Sequence, residues 1–111
     1  MPTAATSAAE DKIFHALADP SRRAILESLT RGEAAVKDLT ARFDISQPAV
    51  SQHLATLKEA GLVNGRRRGR FVYYRVEPRG MKPLINWITH YQAFWTDRVG
   101  RLEHLLETMD P

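Results

Sequence analysis

The sequence predicts a mainly α-helical fold with a small β-hairpin, in the order of four helices, two strands and a final helix. Apolar residues recur at spacings of three and four along five stretches, which is the period of amphipathic helices. One run of β-branched and aromatic residues, Phe71 to Val76, follows an arginine-rich segment with a glycine in it and predicts the hairpin. The last helical stretch is the longest and carries both tryptophans.

Length and composition narrow the class of protein. The chain has 111 residues, of which 43% are apolar and 26% charged, as expected for one soluble globular domain. It has no cysteine, which excludes disulfides, thiolate metal ligands and a cysteine nucleophile. We expect residues 1–9 to form a disordered tail and residues 10–111 a single domain. Neither a signal peptide nor a membrane-spanning run is found, so we expect a cytoplasmic protein without membrane contacts.

The charge of the chain is unevenly distributed. The formal net charge is +3 at pH 7, yet residues 61–80 hold six arginines against one glutamate and therefore carry +5. The remainder of the chain is left with −2. A basic patch on a nearly neutral body is typical of a surface that binds a polyanion such as nucleic acid.

The first two predicted helices meet at Asp19 and Pro20. Apolar residues at helical spacing predict a short helix over residues 10–18. Asp19 can cap the next helix, and Pro20 suits its first position because no N–H is needed there. Arg22 lies in this first turn, the unfavourable end of the helix dipole for a cation. It therefore indicates either a nearby DNA phosphate or a merely solvated turn.

A helix-turn-helix follows in the sequence. Apolar residues predict a third helix over residues 36–43, which Asp44 and Ile45 terminate. Ser46 is a good cap for a fourth helix, and Gly61 is suited to end it. Two helices joined by a turn of about three or four residues form a helix-turn-helix, whose second helix enters the major groove of DNA.

The outward face of the fourth helix is short, polar and uncharged near its start. Val50, Leu54 and Leu57 form the apolar stripe that faces the core. Candidate DNA contacts on the other side are Gln47, Pro48, Ser51, Gln52, His53 and Thr56. Gln52 can pair with adenine through two hydrogen bonds, whereas His53 lies nearer the stripe and could equally be half-buried. A merely solvated face would more often carry Lys and Glu.

The predicted hairpin forms a basic wing after the fourth helix. Leu62 and Val63 begin its first strand, and Gly69 lies in the turn at its tip. Arginines at this tip suit contacts with DNA phosphate or the minor groove. Our candidates are Arg66, Arg67, Arg68 and Arg70. Tyr73 and Tyr74 must point to opposite faces of the strand, so only one can reach DNA, and we include Tyr73.

The final helix, predicted over residues 81–109, has a longer apolar stripe than a small domain can cover. Its apolar residues alternate at spacings of four and three, which favours a partner helix. Its aromatic residues most simply pack in that interface. A small apolar effector pocket among them is the alternative.

The order of elements and three motifs resemble the ArsR/SmtB family, which consists of dimeric winged helix-turn-helix transcriptional repressors. The motifs are DPSRR at 19–23, SQHL at 51–54 with AGLV at 60–63, and GR at 69–70 with YYR at 73–75. The resemblance covers residues 10–109 and implies a dimer built from the first and last helices. The implied dimer contacts are Ile13, Phe14, Leu84, Trp87, Ile88, Tyr91, Trp95, Leu102 and Leu105.

The chain departs from this family at the metal sites. Metal sensors of the family often carry two cysteines near the start of the third helix, where this chain has no thiol and Lys37 would repel a cation. A second family site uses Asp and His on the last helix. His90, Asp97, His104 and Glu107 are present there without the family's spacing. The chain thus resembles a cysteine-free branch without these sites, and we expect no metal and no cofactor.

These features together predict a sequence-specific, DNA-binding transcriptional regulator. We expect a homodimeric repressor on double-stranded DNA, with a palindromic operator whose half-sites lie about one helical turn apart. The alternatives are a metal- or small-ligand-responsive sensor of the same fold, and a protein-interaction module, which would leave the basic wing unexplained. We do not expect an enzyme, because no Gly-rich phosphate loop and no Ser/His/acid set stand out.

Overall fold

The computed structural model describes residues 8–109, apart from the side chain of Ala93. These residues form five α-helices, namely α1 (Ala8–Leu17), α2 (Pro20–Leu29), α3 (Val36–Phe43), α4 (Gln47–Glu59) and α5 (Lys82–Met109). The strands are β1 (Ala34–Ala35), β2 (Val63–Arg68) and β3 (Phe71–Val76), and a short 3₁₀ helix, Pro78–Met81, precedes α5. The predicted winged helix-turn-helix architecture is confirmed.

Two details differ from the prediction. The tail predicted over residues 1–9 is wrong for Ala8 and Ala9, which begin α1, while residues 1–7 lie outside the described residues. Alanine is the best helix former, and the acidic Glu10 and Asp11 suit the positive end of the helix dipole. The hairpin also gains a third strand, since β1 pairs with β3 and gives the sheet order β1-β3-β2.

The helix ends follow the predicted capping residues. The Asp19 carboxylate accepts hydrogen bonds from the backbone N–H groups of Ser21 and Arg22, at 2.7 and 3.1 Å. The Ser46 hydroxyl accepts from the N–H of Ala49 at 3.2 Å and caps α4. Asp44 ends α3 in the left-handed conformation, with φ 51°. Asp44 and Ser46 together fix the short turn between α3 and α4.

We expect the Asp19 cap to make stability depend on acid pH. The backbone hydrogen bond from Arg22 is the main cause that lowers the pKa of Asp19 below its ordinary value of 3.8. Because the folded state binds this proton less tightly, the stabilisation is complete above pH 3.8 and is lost as the pH falls through the lowered pKa. Asp19→Asn keeps an acceptor that does not titrate, so urea unfolding midpoints between pH 5 and 3 should fall less steeply for this variant. Parallel midpoints would contradict this assignment.

The core lies between α1–α4 and the inner face of the sheet. The predicted stripe of Val50, Leu54 and Leu57 is at most 1% exposed, which confirms its place in the core. Ile13 is also only 1% exposed and packs in this same core. Its predicted role as a dimer contact is therefore wrong, because its own subunit already covers it. Leu84 is partly buried against the same core.

Gly80 lies in the 3₁₀ helix before α5 and packs against the backbone of Gly61, just after the end of α4. A Cβ at this position would lie 1.6 Å from the carbonyl oxygen of Gly61 and 2.5 Å from its carbonyl carbon. Both neighbours are backbone atoms, so a side chain at residue 80 requires the chain itself to move.

We expect Gly80→Ala to destabilise the protein by about 1–3 kcal/mol, the usual cost of overpacking. The matched control is Gly100→Ala in α5, where a Cβ meets nothing within 4 Å. Since Gly in a helix costs about 1 kcal/mol relative to Ala, this control should be neutral or stabilising. Urea unfolding of both variants checks the pair, and an equally stable Gly80→Ala would contradict the packing.

Candidate nucleic-acid interface

Helix α4 presents its predicted polar face to solvent. Because the stripe at Val50, Leu54 and Leu57 is turned into the core, the residues on the opposite side are exposed. The exposed candidates are Gln47, Pro48, Ser51 and Gln52. They combine hydrogen-bond donors and acceptors without charge, which suits the edges of bases in a major groove.

His53 and Thr56 lie at the edge of this face and are half-buried. The Thr56 hydroxyl donates to the carbonyl oxygen of Gln52 at 3.2 Å, so its proton is used within the helix. Nδ1 of His53 is buried and has no hydrogen-bond partner within the described part of the chain. Both side chains are less available to DNA than Gln52.

The β2–β3 hairpin places four arginines at its free end, namely Arg66, Arg67, Arg68 and Arg70. Arg68 pairs with Phe71, which leaves a two-residue turn of Gly69 and Arg70. Gly69 has φ 64°, as the first position of the common II′ hairpin turn requires, which agrees with its predicted place at the turn. Arg66, Arg67 and Arg70 are exposed, and no carboxylate in residues 8–109 pairs with them. These three guanidinium groups are available for phosphate.

Tyr73 and Tyr74 lie on opposite faces of β3, as the alternation of side chains along a strand predicts. Tyr74 packs against the core. Opposite it, Gly65 leaves room for the ring, since a Cβ there would lie 3.1 Å from Cε1 of Tyr74. Tyr73 lies on the outer face, half-buried, with the Arg68 guanidinium 4.3 Å from the centre of its ring. Tyr73 is thus partly covered by Arg68 and less available to DNA than the free arginines.

A set of contacts that the sequence did not predict ties the wing to the segment before α3. Arg68 forms an ion pair with Glu33, which precedes β1. Lys37 Nζ, in the first turn of α3, lies 4.2 Å from the centre of the Phe71 ring. These contacts involve Glu33, Lys37, Arg68, Phe71 and Tyr73. Glu33 and Arg68 are 35 residues apart, so no local pattern could have revealed their contact.

Arg22 has a structural role that replaces its predicted phosphate contact. Its Nε–H donates to the carbonyl oxygen of Ala16 at 2.7 Å, and its Nη2 donates to that of His15 at 3.1 Å. The side chain is only 14% exposed. Arg23 likewise donates to the carbonyl oxygen of Leu17 at 2.7 Å. The two arginines donate to carbonyl oxygens at the end of α1, where positive charge is favourable, so the prediction for Arg22 was wrong.

Helix α5 carries an apolar face that the rest of the described chain leaves open. Trp87 and Tyr91 are half-buried, and Trp87 packs edge-on against Phe14 with ring centres 5.3 Å apart. Beyond them the side chains are about half exposed, for example Trp95 at 53% and Leu102 at 54%. The exposed apolar residues of α5 are Ile85, Ile88, Phe94, Trp95, Val99, Leu102, Leu105, Leu106 and Met109.

Two other features are absent from residues 8–109, namely a metal site and a membrane-spanning helix. No group of three or more His, Asp or Glu side chains lies close enough there to hold a metal ion jointly. None of the helices in this part of the chain combines the length and the apolar character that a membrane span needs. A groove of about 360 Å³ lies between α1 and α5 and is lined by Glu10, Asn86, Trp87, His90 and Tyr91.

Comparison with known proteins agrees with this geometry. Residues 19–65 match the model of the bacterial regulatory protein, arsR family. The chain is 36% identical to the transcriptional repressor SdpR of Bacillus subtilis strain 168, over 73% of this chain and 90% of that protein. It is 40% identical to the HTH-type transcriptional regulator Rv2034 of Mycobacterium tuberculosis, over 88% of this chain and 89% of the relative.

A solved structure extends the likeness to the fold. The chain resembles an ArsR-like transcriptional regulator from Rhodococcus sp. RHA1 with a TM-score of 0.72 and 28% identity, over 88% of this chain and 92% of that one. The matches thus reach well beyond the helix-turn-helix itself. The chain belongs to the arsR family of bacterial regulatory proteins and is a DNA-binding transcriptional regulator, not an enzyme.

Proposed function

We propose that the protein represses transcription as a homodimer that occupies a palindromic operator. The observation that supports this most directly is the exposed, uncharged polar face of α4, together with three exposed wing arginines that no carboxylate of residues 8–109 pairs with. The first surface suits base edges and the second suits backbone phosphate, and sequence-specific DNA binding needs both. Relatives named as repressors support the direction of the effect.

Within this proposal the contacts divide between bases and backbone. Gln47, Ser51 and Gln52 read base edges, with Gln52 the main determinant because its amide can pair twice with one adenine. Pro48 lies in the first turn and shapes the approach of the helix without donating a hydrogen bond. His53 and Thr56 lie at the edge of the surface of α4 that contacts the bases. The phosphate contacts come from Arg66, Arg67 and Arg70.

The dimer in this proposal is built on the open face of α5. Phe14 is 37% exposed and Trp95, Leu102 and Leu105 are between 53% and 54% exposed, so a partner helix has a continuous apolar surface to cover. Burying one such side chain completely contributes about 1.5–3 kcal/mol. A protein-interaction module could also use this face, but the wing arginines would then have no function.

The proposed repressor also needs a cellular location and a means by which its DNA binding is controlled. A regulator of bacterial transcription acts in the cytoplasm, where the promoters are. The groove between α1 and α5 is large enough for a small effector, which is the alternative we retain for control of DNA binding. Nothing in the described residues favours metal control.

The repressor function is tested by transcription in vitro from a promoter that overlaps an operator obtained by binding selection. The unsubstituted protein should reduce the amount of transcript. Gln52→Ala should reduce it much less, since one lost bidentate contact costs about 1–3 kcal/mol. A rise in transcript on adding the protein would identify an activator and reject repression.

A further inference from the structure

One of the four wing arginines is already paired before any DNA is present. The Arg68 side chain crosses the outer face of the sheet, stacks over Tyr73 at 4.3 Å and ends in an ion pair with Glu33. Arg66, Arg67 and Arg70 have no such partner in residues 8–109. The four arginines are therefore not equivalent, although they look alike in the sequence.

The position of Glu33 explains why Arg68 is the one that is held. Strand β1 follows Glu33 directly and pairs with β3 at Ala35 and Tyr73, so the edge of the sheet brings the carboxylate to the outer face. Arg68 lies on that same face, opposite Phe71 on β3. Lys37 covers Phe71 from the start of α3. Both contacts bind the outer face of the wing to the segment that leads into the helix-turn-helix.

The carboxylate of Glu33 offers Arg68 the same chemistry as a DNA phosphate. Both are anions with two oxygens that accept from a guanidinium, and such pairs are stronger than neutral hydrogen bonds. An arginine engaged in this way neutralises Glu33 and contributes little attraction to the DNA backbone. The affinity of a protein for any DNA sequence depends on how many phosphates it neutralises.

We propose that Glu33 is a positioning residue for DNA binding, which occupies the place of a phosphate on Arg68 and keeps that arginine out of the backbone contacts. The wing then presents three phosphate-binding arginines instead of four. DNA of arbitrary sequence is bound less tightly as a result. Non-specific sites then compete less with the operator, which α4 recognises through its base contacts. This inference rests on the proposed DNA contact of the wing.

The test is the salt dependence of binding to a duplex of random sequence. E33Q releases Arg68, so the slope of log K against log salt should steepen by about 0.9 per protomer. The matched control is E27Q, which removes the same charge from the exposed pair that Glu27 of α2 forms with Arg31 and should leave the slope unchanged. Adding R68A to E33Q should abolish the gain.

Four results would contradict the proposal or its premise. A slope for E33Q equal to that of E27Q, or a gain that survives R68A, would overturn the role of Glu33. Binding that does not weaken with salt even in the unsubstituted protein would reject the wing contact itself, and with it the proposed function. Without DNA, nuclear magnetic resonance should show a restrained Arg68 guanidinium in the unsubstituted protein and a mobile one in E33Q. A guanidinium equally mobile in both proteins would also overturn the proposal.

Discussion

Replacing Leu102 and Leu105 together by glutamate should convert the protein to a monomer and lower its affinity for a palindromic operator by about 100-fold or more. Both side chains lie on the open face of α5, each 54% exposed in the single chain. Burying an unpaired carboxylate in an apolar interface costs several kcal/mol, so the dimer should not form. Joining two half-site modules typically raises affinity by about 10²–10⁴-fold, and this gain is lost with the dimer.

The matched control adds the same two charges on the opposite side of α5, at Thr89 and Thr96. Both threonines are exposed and lie on the side of α5 away from Leu102 and Leu105, so this variant should remain dimeric. Light scattering gives the mass of each variant, and gel-shift titration gives its affinity. Circular dichroism should show intact helices in the core, which contains neither leucine. A dimeric Leu102→Glu, Leu105→Glu variant would place the interface elsewhere.

Replacing Arg66, Arg67 and Arg70 together by alanine should remove most non-specific DNA binding. If each of these unpaired guanidinium groups neutralises one phosphate, the slope of log K against log salt should flatten by about 2.7 per protomer. Affinity at low salt should fall by orders of magnitude, while the mass of the dimer stays the same. Fluorescence anisotropy of a labelled duplex at several salt concentrations measures both quantities.

The control for this triple variant removes equal charge away from the wing. Three exposed residues are replaced by alanine, namely Lys12 of α1, Arg31 just after α2 and Arg101 of α5. This lowers the net charge by the same amount. Steering by overall charge would weaken binding in both variants, whereas direct phosphate contacts should weaken it only in the wing variant. An equal loss in both would contradict the assignment of the wing.

Local chemistry was enough to predict most of the elements. The bounds of α3 and the cap of α4 at Ser46 follow from residues that are neighbours in the chain. A helix period, a capping hydroxyl and a Gly at a hairpin turn act over a few residues, so the sequence displays them directly. The buried stripe of α4 left only one face of that helix for DNA, which is why its exposed residues could be named in advance.

Contacts between distant residues could not be predicted in this way. Arg22 looked like a phosphate ligand because its place in α2 is unfavourable for a cation, yet it caps the preceding helix. Ile13 was expected at the interface because the family resemblance implies a dimer through α1, yet its own core covers it. Strand β1 has two residues, too few for a pattern, and its pairing with β3 brings Glu33 to the wing. In each case tertiary packing decided the role.

In the proposed dimer, the two α4 helices recognise the bases of two related half-sites in the major groove. Selection of bound duplexes from a pool of random DNA tests this recognition most directly. The unsubstituted protein should enrich a palindrome whose half-sites are centred about 10 base pairs apart, one helical turn. Gln52→Ala should relax the preference at a single symmetric pair of positions. Enrichment of no palindrome, or of the same palindrome by both proteins, would contradict the claim.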